Sequence, residues 1–387
     1  MTAICSAVLL ASLLALGLAE RRARDRAREA VRIRIHVNGT RGKSTVTRLI
    51  AGALRAAGVR CVAKTTGTEP RLILPDGSER VVRRRAPASI REQLWALRQA
   101  RALGADAAVL ECMAVEPELQ EVSERAMVCS TIGVITNARL DHAEVMGATV
   151  DDVAAALAST IPAGGTVVVG PTGGLGVLDA ACRKSGARLV LAAADPPPAT
   201  TGLETAGEGA SAGWAADNAG IALAVARLLG IPDDVARRGM ADAAPDPGAV
   251  TCGSVTVAGH RVEYVDASAA NDAESLQRLI APRTQDALFV FNHRRDRPLR
   301  LRQFGDAAPW SRGADRVVVT GDRPDWTTWR RLRTRLPGPR LAFERRSRLA
   351  TGLGARLRGP AAGGLVVFCG NTKGLQRQPL LSALQRT

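Results

Sequence analysis

The stretch Val31–Leu49, VRIRIHVNGTRGKSTVTRL, decides how the rest of the chain is read. In its first half Val31, Ile33, Ile35 and Val37 alternate with Arg32, Arg34 and His36, the period of two expected of a β-strand. The alternation stops at Asn38-Gly39, and a helix is expected from Ser44 through Ala57. Between them lies a glycine-bracketed loop, Gly39-Thr40-Arg41-Gly42-Lys43-Ser44-Thr45. Strand, glycine loop and helix N-terminus in this order turn successive backbone N–H groups toward an anion. Lys43 adds a positive charge, and the Ser44 hydroxyl can reach a metal. The eight-residue P-loop would need glycine at position 37, where Val37 stands, so the form is Gly-x-x-Gly-Lys-Ser. The chain has 53 basic residues, of which only Lys43, Lys64, Lys184 and Lys373 are lysine, so chance poorly explains a lysine here.

At 387 residues the chain can hold two domains with sizeable cores. An apolar content of 46% with only 3% aromatics favours an Ala-rich α/β protein over a β-sandwich. The net charge of +16 is carried by arginine and points to nucleic acid, anionic lipid or an acidic substrate. No basic stretch is interleaved with aromatics, which sets nucleic acid aside as a partner. Seven cysteines without Cys-x-x-Cys spacing read as reduced thiols, with no zinc site.

Ala3–Ala19 is an uncharged apolar run followed at once by an arginine-rich flank. As a helix it spans about 26 Å, close to the ~30 Å hydrocarbon core of a bilayer. The basic residues follow the run rather than precede it. This favours a retained single-pass anchor over a cleaved signal peptide and places the body in the cytoplasm at the cell membrane. Strands are expected at 59–63, 106–110, 130–136, 166–169 and 188–192, with a hairpin at 71–82 turning on Asp76-Gly77. A helix is expected over 90–103 and another over Trp214–Gly230, with Asp217-Asn218 in its first turn. Residues 196–213 read as a connection, and Pro245-Asp246-Pro247-Gly248 as a boundary. Beyond it, strands at 254–257, 260–265, 287–291, 315–319 and 364–368 alternate with helices. The expected organisation is an anchor and basic flank (1–30), a parallel-sheet α/β phosphate-loop domain (31–248) and a smaller α/β domain (249–387), with ligands at strand C-termini.

Several polar groups then fall at strand ends. Glu111 closes a buried strand beside the phosphate loop, where a Mg²⁺ ligand belongs; its bland reading is a surface carboxylate. Asn137-Ala-Arg-Leu-Asp141-His142-Ala-Glu144 brings metal-capable groups to the same edge, or only a capped loop histidine. Lys64-Thr65-Thr66-Gly67-Thr68 adds hydroxyls and a lysine there, or an ordinary Thr-rich turn. In the second domain, Asp266 through Asn271-Asp272 and Asn292 through Arg297 follow strands, although an arginine cluster is usually a solvated face.

Taken in order, NGTRGKSTVTRL (38–49), AKTTGTEPR (63–71), ECMAVEPE (111–118), LDHAEVMG (140–147), DNAGIALAVA (217–226), APDPGA (244–249), AANDAES (269–275) and the Asn292–Arg297 block resemble the Mur-ligase type of ATP-dependent amide ligase, and more closely its poly-γ-glutamate synthase (PgsB/CapB) branch. The resemblance implies that ATP phosphorylates a substrate carboxylate and that an amine attacks the acyl phosphate, building poly-γ-glutamate. It implies Lys43, Glu111 and His142 as catalytic residues. Gly39, Thr40, Arg41, Gly42, Lys43, Ser44, Thr45, Asn218, Asp266 and Asn271 would hold the nucleotide, and Ser44, Thr66, Glu111 and His142 a Mg²⁺ or Mn²⁺ ion. Glutamate, the growing chain, the membrane and other membrane subunits are the implied partners. Three features depart from the wider Mur pattern. No lysine stands between Lys64 and Lys184 to be carbamylated as a second-metal ligand. The phosphate-loop strand starts just after the apolar run, so a nucleotide-sugar-recognising domain is not expected before it, and Gly370-Asn-Thr-Lys373-Gly replaces a histidine-containing end block. The alternative is a non-catalytic, nucleotide-dependent switch or assembly protein at the membrane, which would use the same loop without needing Glu111, His142 and Asp266.

Overall fold

The computed structural model describes residues 2–380 apart from 68, 85–86, 196–209, 247–249, 258, 269–272, 281–286, 308–309, 311–315, 358–363, 372–374 and 376–379. The expected connection over 196–213 and the Pro245–Gly248 boundary therefore lie largely or partly outside the described residues. The chain divides into two compact units, Met1–Thr201 with Ala216–Ala244, and Gly202–Ala215 with Pro245–Thr387.

The first unit is built on eight strands: β1 Ile33–Asn38, β2 Cys61–Lys64, β3 Arg71–Ile73, β4 Glu79–Val81, β5 Ala107–Glu111, β6 Ile132–Ile135, β7 Thr166–Val169 and β8 Arg188–Leu191. Their order is β4-β3-β2-β5-β1-β6-β7-β8. All pairings are parallel except those of the β2-β3-β4 edge, where the Asp76-Gly77 turn closes the expected hairpin. The helices are α1 Thr2–Glu29, α2 Lys43–Ala56, α3 Glu92–Ala102, α4 Pro117–Val122, α5 Ala143–Met146, α6 Val150–Leu157, α7 Leu175–Ser185, α8 Ala210–Leu228 and α9 Asp233–Ala241, with a π-helical turn at Ser123–Val128 after α4. Helix α8 begins before Trp214, so Asn218 lies beyond the first turn where it was expected.

Helices cover both faces of this sheet, so both sides of β1 pack against other elements. Ile35 and Val37 pack with α2 residues such as Val46 and Ile50, while His36, on the other face, is also buried. From Ile35 to Asn38 both faces of the strand are therefore interior, while Arg32 before it is exposed. Helix α1 runs without a break from the apolar stretch through the arginines, and by length and composition it can cross a membrane. Its apolar side chains from Ile4 to Leu18 are exposed, but Ala27 joins the core with Val31, Leu97 and Val128.

The second unit holds β9 Thr251–Val257, β10 His260–Asp266, β11 Ala287–His293, β12 Arg316–Gly321, β13 Leu341–Phe343 and β14 Leu365–Cys369, in the order β13-β12-β11-β14-β10-β9. Only β9 runs antiparallel to its neighbour. Helices α10 Ala273–Ile280, α11 Pro298–Ala307, α12 Trp326–Arg335 and α13 Leu349–Leu357 complete it. The three-residue β13 was not anticipated. The scarce aromatics concentrate here: Phe289, Phe291 and Phe304 surround Trp310 with ring centroids 5.8–6.5 Å away.

Candidate active site

Strand β1 lies between β5 and β6, so the loops leaving β1, β2, β5 and β6 gather at one edge of the sheet. This is the switch-point edge at which parallel sheets bind ligands. Gly39 and Gly42 adopt φ of 129° and 79°, in the left-handed region that favours glycine. A Cβ on Gly39 would collide with the Thr136 hydroxyl, and one on Gly42 with Oδ1 of Asn218. The loop is stapled from β6. Asn137 Oδ1 accepts from Thr40 Oγ1 (2.7 Å) and Arg41 N–H (3.2 Å), and Asn137 Nδ2 and Thr136 Oγ1 donate to Arg41 O at 3.1 and 2.5 Å. Gly42→Ala is expected to cost about 1–3 kcal/mol of stability and to weaken nucleotide binding at least about tenfold by displacing Asn218. Thermal melts with and without nucleotide check both effects.

Lys43 opens α2, and its Nζ donates to Gly39 O at 2.6 Å, folded back over the loop. Ser44 Oγ donates to Glu111 Oε2 (2.8 Å), and the same oxygen accepts the Thr66 backbone N–H (2.6 Å). The Glu111 carbonyl is held in turn by Gln93 Nε2 at 2.8 Å. Three elements expected to meet (phosphate loop, β2 loop and β5 end) therefore converge on one carboxylate. Thr66 reaches it through its backbone rather than through the hydroxyl expected on a metal. Lys64 does not join the edge as a ligand: it is fully buried, with Nζ 3.1 Å from Glu92 Oε2. Burial draws its pKa down, and Glu92 and Glu111 partly offset that.

His142 sits in the left-handed region (φ 48°) and caps α5, its carbonyl accepting from Val145 and Met146 N–H. Its Nδ1 lies 3.5 Å from Glu144 Oε1, while the adjacent Asp141 pairs with Arg41 at 2.6 Å. The loop bearing His142 is thereby tied to the phosphate loop, but the imidazole faces Glu144. Asp266 ends β10 in the second unit, buried, with Oδ1 accepting Ser268 N–H at 3.0 Å. Asn271 and Lys373 lie outside the described residues.

Behind the loop is a buried polar layer that sequence reasoning missed. His36 Nδ1 is 2.8 Å from Glu124 Oε2, on the π-helical turn. Glu124 Oε1 accepts from Ser130 N–H (2.8 Å) and Oγ (2.9 Å). Asn38 Nδ2 donates to Gln120 Oε1 (2.7 Å) and Thr160 Oγ1 (3.1 Å). Burial alone would lower the His36 pKa; hydrogen bonding and charge from Cys112 and Glu124 outweigh it and push it up to about 10. Gln93, Thr136 and Glu124 carry no local sequence signal for these roles.

The residues suit a nucleotide and a divalent ion. The glycine cradle has no room for a Cβ, and a serine hydroxyl meets a doubly hydrogen-bonded carboxylate beside a lysine. Among the described residues no group of three or more His, Cys, Asp or Glu is placed to hold a metal. Mg²⁺ needs no such cage, since one carboxylate, a hydroxyl, substrate phosphates and water suffice.

Residues 37–169 match the Mur ligase middle domain, and residues 254–387 the C-terminal domain of poly-γ-glutamate synthase CapB. The PGA synthase CapB of Bacillus subtilis (strain 168) is 34% identical over 318 residues, 80% of this chain and 80% of that protein. The chain belongs to the CapB family of poly-γ-glutamate synthases. CapB proteins are ATP-dependent ligases that form amide bonds, within the Mur-ligase group whose fold both sheets reproduce. Among solved structures, the Mycobacterium tuberculosis folylpolyglutamate synthase complexed with ADP superposes with a TM-score of 0.66 at 18% identity, covering 99% of this chain and 98% of that one. A bifunctional folylpolyglutamate synthase/dihydrofolate synthase with Mn, AMPPNP and L-glutamate bound gives 0.61 at 17% identity, over 91% and 90%. At these identities the superpositions extend the likeness of fold to the CapB chain.

Proposed function

We propose that this chain is a membrane-anchored γ-glutamyl ligase that uses ATP and Mg²⁺ or Mn²⁺ to lengthen poly-γ-glutamate. A glutamate carboxylate accepts the phosphoryl group of ATP as ADP departs. The amine of the acceptor then attacks the acyl carbon, forming the amide and releasing phosphate. The observation that carries the reading is the meeting of Ser44, Thr66 and Glu111 beside Lys43 at the mouth of the glycine cradle. In the filled site the Gly39–Thr45 amides and Lys43 bind the phosphates, and Glu111 with Ser44 holds the ion, which supplies charge neutralisation at the transferring group. Asn218, against Gly42, borders the nucleotide. Asp266 and Asn271 are nucleotide-binding candidates by the resemblance alone, and His142 is assigned to the metal or acyl end. Helix α1 is the anchor, with the body in the cytoplasm, and export subunits in the same membrane are the partners for the product.

Membranes or the solubilised protein supplied with ATP, Mg²⁺ and glutamate should yield ADP and polymer together. ADP formation that is indifferent to glutamate would overturn the ligase reading in favour of a nucleotide switch. Glu111→Gln keeps the shape but loses the charge. It should lower turnover by about 10²-fold and raise the half-saturating Mg²⁺ concentration at least about tenfold, read from a metal titration of ADP release.

A further inference from the structure

Helix α12, WTTWRRLRTR, begins at an Asp325 cap whose carboxylate accepts Thr328 N–H at 2.8 Å. Thr328 and Leu332 are buried, while Trp326, Arg330 and Arg333, spaced four and three residues apart, share one exposed face. Trp326 is 70% exposed, more than any other large apolar side chain among the described residues. The Arg330 guanidinium lies over its ring, 5.3 Å from the centroid. Beside it opens a cavity of about 310 Å³ lined by Arg323, Pro324, Trp326, Trp329 and Phe343.

The helix divides its arginines by side. Arg331 and Arg335 lie 2.8 and 3.6 Å from Asp306 and share its single carboxylate. Among the described residues Arg323, Arg330 and Arg333 have no carboxylate partner. The outer face thus combines uncompensated guanidinium groups with an indole and an apolar cavity. An acidic polymer would be met by the arginines alone and would leave the indole in water. The headgroup region of a bilayer accommodates both, taking the ring at the acyl boundary and the cations among lipid phosphates. Helix α1 supplies the means of holding the chain at such a surface.

We infer that the Trp326–Arg330–Arg333 face of α12 docks on the surface of an anionic bilayer, with the indole seated at the acyl boundary and Arg323, Arg330 and Arg333 on lipid phosphates. The docking does not depend on the reaction assigned to the ligase site.

The full chain reconstituted in vesicles with brominated acyl chains tests this, because α1 contains no tryptophan and its insertion quenches nothing. In phosphatidylglycerol vesicles bromination should remove roughly one fifth of the emission, the share of one among five tryptophans. That loss should vanish in Trp326→Phe. It should shrink at least about twofold in phosphatidylcholine vesicles and in Arg330→Gln/Arg333→Gln, which keeps all five indoles. Quenching that survives Trp326→Phe, is absent with phosphatidylglycerol, or is equal in the two lipids overturns the docking. Shielding of Trp326 from aqueous acrylamide by poly-γ-glutamic acid, with no bromolipid quenching, overturns it in favour of the polymer.

Discussion

Lys43→Ala is expected to reduce ATP turnover by about 10³-fold while leaving the protein folded. Among the described residues the ammonium has no carboxylate partner; it bonds the carbonyls of Gly39 and Thr40, at 2.6 and 3.4 Å, within its own loop. A lysine that rests on backbone carbonyls leaves them readily for a phosphate, because the anion offers the stronger, charge-assisted bond. The loop itself is held by Thr136, Asn137 and Asn38, none of which the substitution touches. The thermal midpoint should therefore move little while ADP release disappears. Unchanged ADP release would refute the assignment of the phosphate loop. Lys43→Arg should restore little, since a planar fork cannot take the place of a compact ammonium over a closed glycine turn.

The second large effect concerns stability. Glu124→Ala leaves the buried, charged His36 without its carboxylate and strips two bonds from Ser130, which should cost about 3–5 kcal/mol in chemical denaturation. The pH dependence of the wild-type protein carries the matching signature. The folded-state pKa of His36, about 10, stands above its ordinary 6.5. Below about 6.5 both states hold the proton and the contribution is complete. As the pH rises above that value the unfolded chain loses the proton first, so the contribution declines until the folded state also deprotonates near pH 10. Stability measured between pH 6 and 10 should fall, and Glu124→Gln, which removes the charge but keeps the side chain's size, should flatten that slope. A slope unchanged in Glu124→Gln would assign the alkaline loss to other groups.

These two sites differ in how visible they were before the structure. Lys43, Ser44 and Glu111 were legible because each ends or begins an element of a parallel sheet, and topology brings such positions to one edge. The burial of His36 could not be read from the sequence, because period-two alternation is silent on whether the second face meets water or another layer of helices. Its partner lies 88 residues away on a π-helical turn that no periodicity announces. Lys64 shows the same limit: a lysine at a strand end looks available to a ligand until Glu92, from the following helix, is seen to claim it. The staples from Thr136, Asn137 and Gln93 stayed hidden because side-chain amides and hydroxyls have no characteristic spacing. In the second unit the apolar runs located five strands, while β13, three half-buried residues long, lacked enough pattern to register.

Helix α1 meets the first unit without a joint. Arg34 donates to the carbonyls of Arg28 and Val31, Arg28 bonds Cys129 Sγ, and Ala27 is buried, so the base of the helix is bolted to β1 and the π-helical turn. A rod fixed at its base passes on whatever angle it takes. Were its apolar segment to span a bilayer, one thinner than its ~26 Å length would tilt it and swing the C-terminal edge of the first sheet through the same angle. Membrane thickness would then steer the attitude of the glycine cradle relative to the lipid plane.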